Sequence, residues 1–463
     1  MMKGYLTVFL SLSLSIITGF VLLLTGCAVR NAGRIRLECA VDTGMNSVLS
    51  EFHIGLFERY GLLYVDASYL GREPSVSNVE ERLSFYIKEN TTKVLERKHG
   101  PWGTLYLEKV QIASFETSAA DRGASMRNQA VCYAADSGIC GSEREVFERL
   151  SEVISLDRED TMEKWNSIME QLAGMERPRI RNKKGEWEEV HLANPADWVY
   201  GLAGSDILYL AEMPVHEISG AKISLDNYIS HRKLENPEEN KRNYREEDDL
   251  FLSYLFDRMG YFGRVKEKSL LFCQLEYITY GESSDIENIR AMMQRLFRWR
   301  FADNLSCALA DGGLRGQAEA AAGELHAVQL KKEFMEPVTE SILYACAFLE
   351  SVGDLRTIIA GGVIPVRKSR HQMSVDNVLD GSIYCTDSES GWNYGQYLAS
   401  MILMMDKDKV NLRAMDIMEM DIRFGDGNKN FAMDWCIERI EAKITGYGNY
   451  GDKYLLKRKY GYF

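Results

Sequence analysis

Gly446, Gly448 and Gly451 have the G-x-G-x-x-G spacing with which a loop brings backbone N–H groups against a dinucleotide pyrophosphate. That chemistry needs a helix after the last glycine and an acidic residue about 20 positions on. Only twelve residues follow Gly451, and Tyr454, Leu456, Arg458, Tyr460 and Tyr462 alternate as a strand. The motif therefore reads as a hairpin loop. Asp426, Asn428 and Asn430 open like a calcium loop, but Phe431 stands where a glycine is required and Ile437 where the closing glutamate belongs. A surface turn is expected there. His216-Glu217 begins H-E-x-x-H, yet Gly220 replaces the second histidine and leaves zinc one ligand short. Histidines 53, 99, 191, 231, 326 and 371 stand alone in the sequence. Neither a Walker-type phosphate loop nor a G-x-S-x-G elbow occurs.

Glu350 and Asp354 are four apart and share a helix face, where two carboxylates repel unless a cation or metal joins them. With Arg356 they read as a salt-bridged packing network before a catalytic cluster. Methionines crowd at 401, 404, 405, 415, 418 and 420. At helical spacing they read as core before a Met-rich binding groove. No residue is assigned as catalytic, cofactor-binding or metal-binding, and no cofactor is expected.

The elements that must carry these residues are ordinary globular ones. The 463 residues are 46% hydrophobic and 27% charged, enough for a sizeable core. A net charge of −13 argues against a nucleic-acid binder, which needs a concentrated basic face. Leu105–Phe115 reads as a strand whose phase slip suggests a bulge. Helices are expected over 78–98, over 126–173 with a break near Gly138, and at Asn194-Pro195 with Asn as cap. Ser284 with Glu287 is a capping box opening a helix to about Leu309. Residues 317–349 read as a helix that Pro337 kinks or splits, and the stretch from 350 stops at Gly361-Gly362 and Pro365. Two more helices are expected at 394–405 and 408–420. Phe431, Met433, Trp435 and Ile437 alternate, then Ile440, Ala442 and Ile444, and with the final run these make a hairpin. Residues 176–189 and 231–249 are too charged to bury and read as solvated loops.

The fold class is α+β: a long N-terminal transmembrane and amphipathic helix, a largely helical middle, and a small antiparallel sheet built from N- and C-terminal strands. The expected divisions are 1–58 (anchor at about 5–29 continuing as an amphipathic helix), 59–119 (start of the soluble domain with its strand), 120–350 (mainly helical) and 351–463 (helices and terminal hairpin).

Residues 4–29 carry no charge. As a helix, those 26 residues span about 39 Å, more than the ~30 Å hydrocarbon core. Leu37, Val41, Met45, Val48, Phe52 and Leu56 then recur at steps of three and four, so one helix of some fifty residues is expected, half in lipid and half amphipathic. Thr7, Ser11, Ser15 and Gly19 fall four apart, a small-residue face on which transmembrane helices can associate. Leu24-Thr25-Gly26-Cys27 offers an alternative anchor, with Cys27 as a lipidation site. Arg30, Arg34 and Arg36 follow the run, and by the positive-inside rule alone would keep the bulk in the cytoplasm. Nine cysteines include no C-x-x-C pair, and only Cys132 and Cys140 are close enough to suggest a local bridge.

The segments Lys3-Gly4-Tyr5-Leu6-Thr7-Val8-Phe9, Glu38-Cys39-Ala40, Tyr60-Gly61-Leu62-Leu63, Glu350-Ser351-Val352, Asp354-Leu355-Arg356 and Gly361-Gly362 resemble a domain-of-unknown-function family. Its members are membrane proteins of low-GC Gram-positive bacteria, found alongside tight-adherence (Tad/Flp) pilus components. The first sixty residues are also similar to TadE/TadG-like proteins, which carry arginine on the outer side of the membrane helix. The resemblance implies a cytoplasmic N-terminus, an extracytoplasmic domain, and a non-enzymatic role in binding or aligning other subunits of a pilus or secretion assembly. The partners it implies are the membrane and other transmembrane helices, or a second copy of the chain. A prepilin would carry glutamate five residues after its processing glycine; Phe9 stands there, which argues against such cleavage. The alternatives are a membrane-tethered enzyme with a site assembled from distant residues, and a lipoprotein-type binding module.

Overall fold

The computed structural model describes residues 2–69, 71–92, 105–139, 144–157, 161–176, 179–189, 194–234, 247–266, 268–325, 332–369, 371–385, 388–448 and 451–462. In chain order the first elements are α1 (Met2–Leu49), α2 (Ile54–Tyr60), β1 (Val65–Asp66), α3 (Val76–Thr92), β2 (Leu105–Thr117), α4 (Ala120–Asp136), α5 (Arg144–Leu156) and α6 (Thr161–Gly174). Next come β3 (Arg179–Arg181), β4 (Trp187–Glu189), α7 (Asp197–Leu202), α8 (Ile207–Leu210), α9 (Asp248–Arg258), α10 (Gln274–Tyr280), α11 (Asp285–Ala310) and α12 (Gly312–Glu324). The chain closes with α13 (Met335–Ile359), α14 (Val375–Asp380), α15 (Tyr394–Leu403), α16 (Lys407–Gly425), β5 (Cys436–Gly448) and β6 (Lys453–Gly461). This is an α+β protein with a long apolar N-terminal helix and a small antiparallel sheet from both chain ends. It divides into two compact units: Met1–Tyr133 with Asp226–Glu246 and Ala414–Phe463, and Ala134–Leu225 with Glu247–Arg413.

In the first unit β5 is the central strand. It pairs antiparallel with β2 along one edge, and with β1 and β6 along the other. The expected slip in β2 is real: the register shifts between Leu107 and Lys109, between Ile112 and Ser114, and again at Glu116–Thr117. Leu37, Val41, Met45 and Val48 of α1 and Val79, Leu83 and Ile87 of α3 bury against Ile440, Ala442, Ile444 and Leu456 of the sheet. The helical period thus meets a period-two face. Helix α1 does not continue through Phe52 and Leu56, as their spacing suggests. It ends at Leu49, because His53 takes an extended conformation and its ring Nδ1 caps α2 by accepting from the Leu56 N–H at 3.1 Å. Strand alternation was expected from Phe431, but residues 433–435 form a 3-10 turn and β5 starts at Cys436. The methionines at 415, 418 and 420 are core.

In the second unit α11 and α13 pack on each other and are surrounded by α5, α6, α10, α12 and α14. Trp165 of α6 is fully buried among Tyr200, Phe301, Tyr344 and Phe348, with ring centroids 5.2–6.2 Å away. Ser284 caps α11 as its spacing requires, accepting from the Glu287 N–H. Pro337 sits in the first turn of α13, where its missing N–H costs no helical bond. Among the described residues the 317–349 pattern therefore falls on two α-helices, α12 and α13. Helix α13 ends at Ile359 and is followed by Gly361 (φ +89°), whose neighbour Gly362 donates to the Thr357 carbonyl at 2.8 Å. Helix α7 starts at Asp197, not at Pro195, because the Asn194 side chain folds back to accept the Ala196 N–H at 3.1 Å. Residues 179–189 are exposed as expected but form a β3–β4 hairpin, closed by Asn182 Oδ1 accepting from the Lys184 and Glu186 N–H groups.

Candidate functional site

The outstanding feature of the chain is the bare half of α1. The helix contains an 18-residue stretch of mean hydropathy 2.3, none of it buried, long and apolar enough to cross a membrane. Large side chains such as Phe9, Leu14, Phe20 and Leu23 are 62–66% exposed there. Thr7, Ser11, Ser15 and Gly19 all lie on this exposed part. Ser11 Oγ donates to the Val8 carbonyl at 3.0 Å, and a Cβ added at Gly19 would meet nothing within 4 Å. Cys27 is exposed with a free thiol on the same continuous helix. Cys132 also has a free thiol, while Cys140 lies outside the described residues.

In the second unit Glu350 and Asp354 do share a face of α13, and two cations join them. Lys368 Nζ donates to Glu350 Oε1 at 2.7 Å and to Asp354 Oδ1 at 2.6 Å. Arg300 of α11 donates to Asp354 at 2.9 Å and Asp303 at 3.0 Å, and also to the Pro365 and Val366 carbonyls. Burial opposes the Arg300 charge, but Tyr397, Asp354 and Asp303 raise its pKa above the ordinary value. Every acid here has a cation, so the cluster's evident work is to clamp the 361–369 segment onto two helices. Arg356 is elsewhere, donating to the Leu210 carbonyl and pairing with Glu212. Sequence reasoning missed Arg300, Asp303 and Lys368. The spacing of Arg300 and Asp303 on one helix was the only local signal, and Lys368 had none.

A fully buried carboxyl was missed as well. Glu276 Oε1 accepts from the Phe262 N–H at 2.8 Å and the Tyr394 hydroxyl at 2.9 Å, while Oε2 has no partner. Burial pushes its pKa up to about 7, opposed by those hydrogen bonds and reinforced by Asp285.

The same unit holds a cavity of about 740 Å³, lined by Met162, Ile207, Leu210, Phe297 and Phe348 with Arg290, Gln294 and Arg298 among its polar groups. Arg290, Gln294 and Arg298 are successive i+4 positions of α11, and Arg290 is forked onto Asp206 at 3.0 Å. The arrangement can seat an apolar group beside cations.

The remaining sequence motifs hold structure. Gly446 and Gly448 end β5 and Gly451 (φ +76°) precedes β6 in the hairpin. The expected surface turn at 426–430 is partly buried: Asn428 donates to Asp66 at 2.9 Å and to Ser68 Oγ at 3.1 Å, while Asp426 pairs with Arg59. The three side chains diverge, so no calcium cage forms from them. Among the described residues no group of three or more His, Cys, Asp or Glu is placed to hold a metal. His216 is exposed in a short 3-10 turn. Histidines 99, 191 and 326 lie outside the described residues. Part of the 231–249 connector also lies outside them; Arg232 within it is no loose charge but is held by Glu419 at 2.5 Å and Asp434 at 2.6 Å.

These features define an α+β protein carrying, among the described residues, one bare apolar helix long enough to span a membrane. The chain belongs to a family of unknown function, DUF5702, which matches residues 185–447, more than half its length. No curated protein and no solved structure matches it.

Proposed function

We propose that the protein is a single-pass, membrane-anchored, non-enzymatic component of a Tad-like pilus or secretion assembly, of the kind found in Gram-positive bacteria. Its N-terminus is cytoplasmic and its bulk extracytoplasmic, at the cell surface, where it binds or aligns other subunits. The observation that carries the reading is the division of α1: residues 5–29 are apolar and bare, while residues 37–49 are built into a folded core. A cleaved export signal has a shorter apolar region of about 7–15 residues. The TadE/TadG likeness of the first sixty residues supports the outward orientation against the arginines at 30, 34 and 36. The Thr7, Ser11, Ser15 and Gly19 face is where a partner helix, or a second copy of this one, packs closely.

The test is membrane crosslinking in cells. Ser15→Leu with Gly19→Leu keeps the segment apolar and fills the small-residue face, so crosslinks to neighbouring helices fall while insertion persists. Unchanged crosslinking makes α1 a plain anchor. Protease shaving of protoplasts degrades the folded units if they are outside; full protection until lysis reverses the orientation. An intact mass showing acyl addition and loss of the first 26 residues would favour the Cys27 lipoprotein instead.

A further inference from the structure

Strand β6 runs beside α1 and in the same direction. Tyr454 Oη donates to the Arg30 carbonyl at 3.2 Å. Arg458 donates to Asp42 at 3.1 Å, and Tyr462 donates to the Leu49 carbonyl. The lengths agree: Arg30 to Leu49 is about 28 Å of helix, and Tyr454 to Tyr462 about 26 Å of strand. The two elements therefore climb together from one level. Gly33 allows the start of the climb, since a Cβ there would lie 2.9 Å from Tyr454 Oη.

That level is the end of the uncharged run. Arg30 is its first charged residue, one position beyond Val29. Through the sheet register, the end of β5 and the start of β2 stand at the same height, since Tyr106 pairs with Tyr447 and Tyr447 with Lys453. Tyr106 is 62% exposed there, Lys453 is exposed, and Lys453 Nζ lies 5.7 Å from the centre of the Tyr447 ring. Arg30 pairs with Asp452 across the gap to the hairpin. The opposite end of the sheet differs, with Glu116 held between Arg439 and Lys459. Tyrosines interleaved with cations are the composition that settles at a bilayer's headgroup layer, the rings at the interface and the cations on phosphates.

We infer that the end of β5 and the starts of β6 and β2 form a second membrane contact, resting Tyr106, Tyr447 and Lys453 on the phospholipid headgroups of the bilayer that α1 enters. The inference rests on α1 spanning a membrane. The sheet then stands upright on the bilayer, held at two points. A tether through α1 alone would leave the unit free to tilt.

The experiment uses the full chain in nanodiscs of phosphatidylcholine, with or without phosphatidylglycerol. The photoreactive residue benzoylphenylalanine replaces Ser15, Tyr106 or Lys459 in turn, and lipid adducts are read by mass spectrometry. Adducts at positions 15 and 106 but not at 459 are expected. Adding Lys453→Glu to the position-106 protein lowers its adduct yield about fivefold in the phosphatidylglycerol discs, and much less in phosphatidylcholine alone. Adducts at 15 with position 106 as unreactive as 459 overturn the docking and leave the anchor standing. No adduct at 15 overturns the anchor, and the docking with it.

Discussion

Replacing Glu276 by Gln should make the second unit less sensitive to pH. Glu276 is fully buried, and burial is the largest influence on its carboxyl, raising it from the usual 4.5 to about 7. Because the folded pKa lies above the unfolded one, the folded state holds a proton that the unfolded state has released. The group's contribution is fully present below about pH 4.5 and is lost as pH rises through about 7. The interval is 2.5 units wide, from the two values above. At 1.36 kcal/mol per unit it corresponds to ~3 kcal/mol across that window. Glutamine has the shape of the neutral acid, and its amide oxygen can still accept from Phe262 N–H and Tyr394 O–H. The variant therefore lacks this loss while keeping the contacts. Urea unfolding of both proteins between pH 5 and 8, followed by tryptophan fluorescence, gives the difference directly. Comparing the pair removes other titrating groups, including Asp157 and Asp206, whose lowered pKa values work in the opposite sense. The difference should grow in favour of Gln by most of that amount as pH rises. A difference that stays flat across the range refutes the buried-acid argument, as does an infrared spectrum at pH 5 without a protonated carboxyl band that the variant lacks.

Two further substitutions probe the packing. Arg300→Met leaves buried Asp303 with only Arg367 at 3.5 Å and Asp354 with only Lys368 for a cation, and should cost about 3–5 kcal/mol in urea unfolding; a cost under 1 kcal/mol would mean the clamp is not electrostatic. Gly61 has φ +70°, and a Cβ there would lie 2.3 Å from the Tyr133 ring, whereas Gly138 (φ +64°) has open space. Gly61→Ala should therefore lower the melting temperature well beyond Gly138→Ala, which carries only the backbone cost of order 1 kcal/mol; equal effects would refute the steric part.

The sequence disclosed what depends on local periodicity. Leu37, Val41, Met45 and Val48 announced a buried helical stripe, the phase slip around Val110 announced the bulged strand, and Ser284 with Glu287 announced the start of α11. It concealed what depends on side chains meeting across the fold. Lys368 lies 14 residues from Asp354 and 18 from Glu350, beyond a helix end, so no spacing rule could pair them. Asn428 reads as a turn residue because its neighbours are polar and glycine is near. Its burial is decided by Asp66 and Ser68, some 360 positions away. Arg232 sits in a charged run that composition marks as solvated, yet Glu419 and Asp434 claim it. The small-residue face of α1 was legible as a pattern, while its partner is a matter for experiment.

The family match begins at residue 185 and ends at 447, and that stretch should not fold alone. That stretch contains nearly all of β5 and none of β1, β2 or β6, the three strands that pair with it. It also lacks α1 and α3, whose Leu37, Val41, Leu83 and Ile87 cover Ile440, Ala442 and Ile444. A fragment of residues 185–447 would thus present one strand with two open edges and an uncovered apolar face. Such a strand is a template for pairing with other chains. The fragment should form large oligomers or precipitate, as read by size-exclusion chromatography and light scattering. The same chain extended to residues 30–463 restores every partner strand and the second half of α1, and should be monomeric in the same buffer. A monomeric, cooperatively unfolding 185–447 would mean that β5 needs neither chain end, and the account of the sheet as the place where the two ends of the chain secure each other would be wrong.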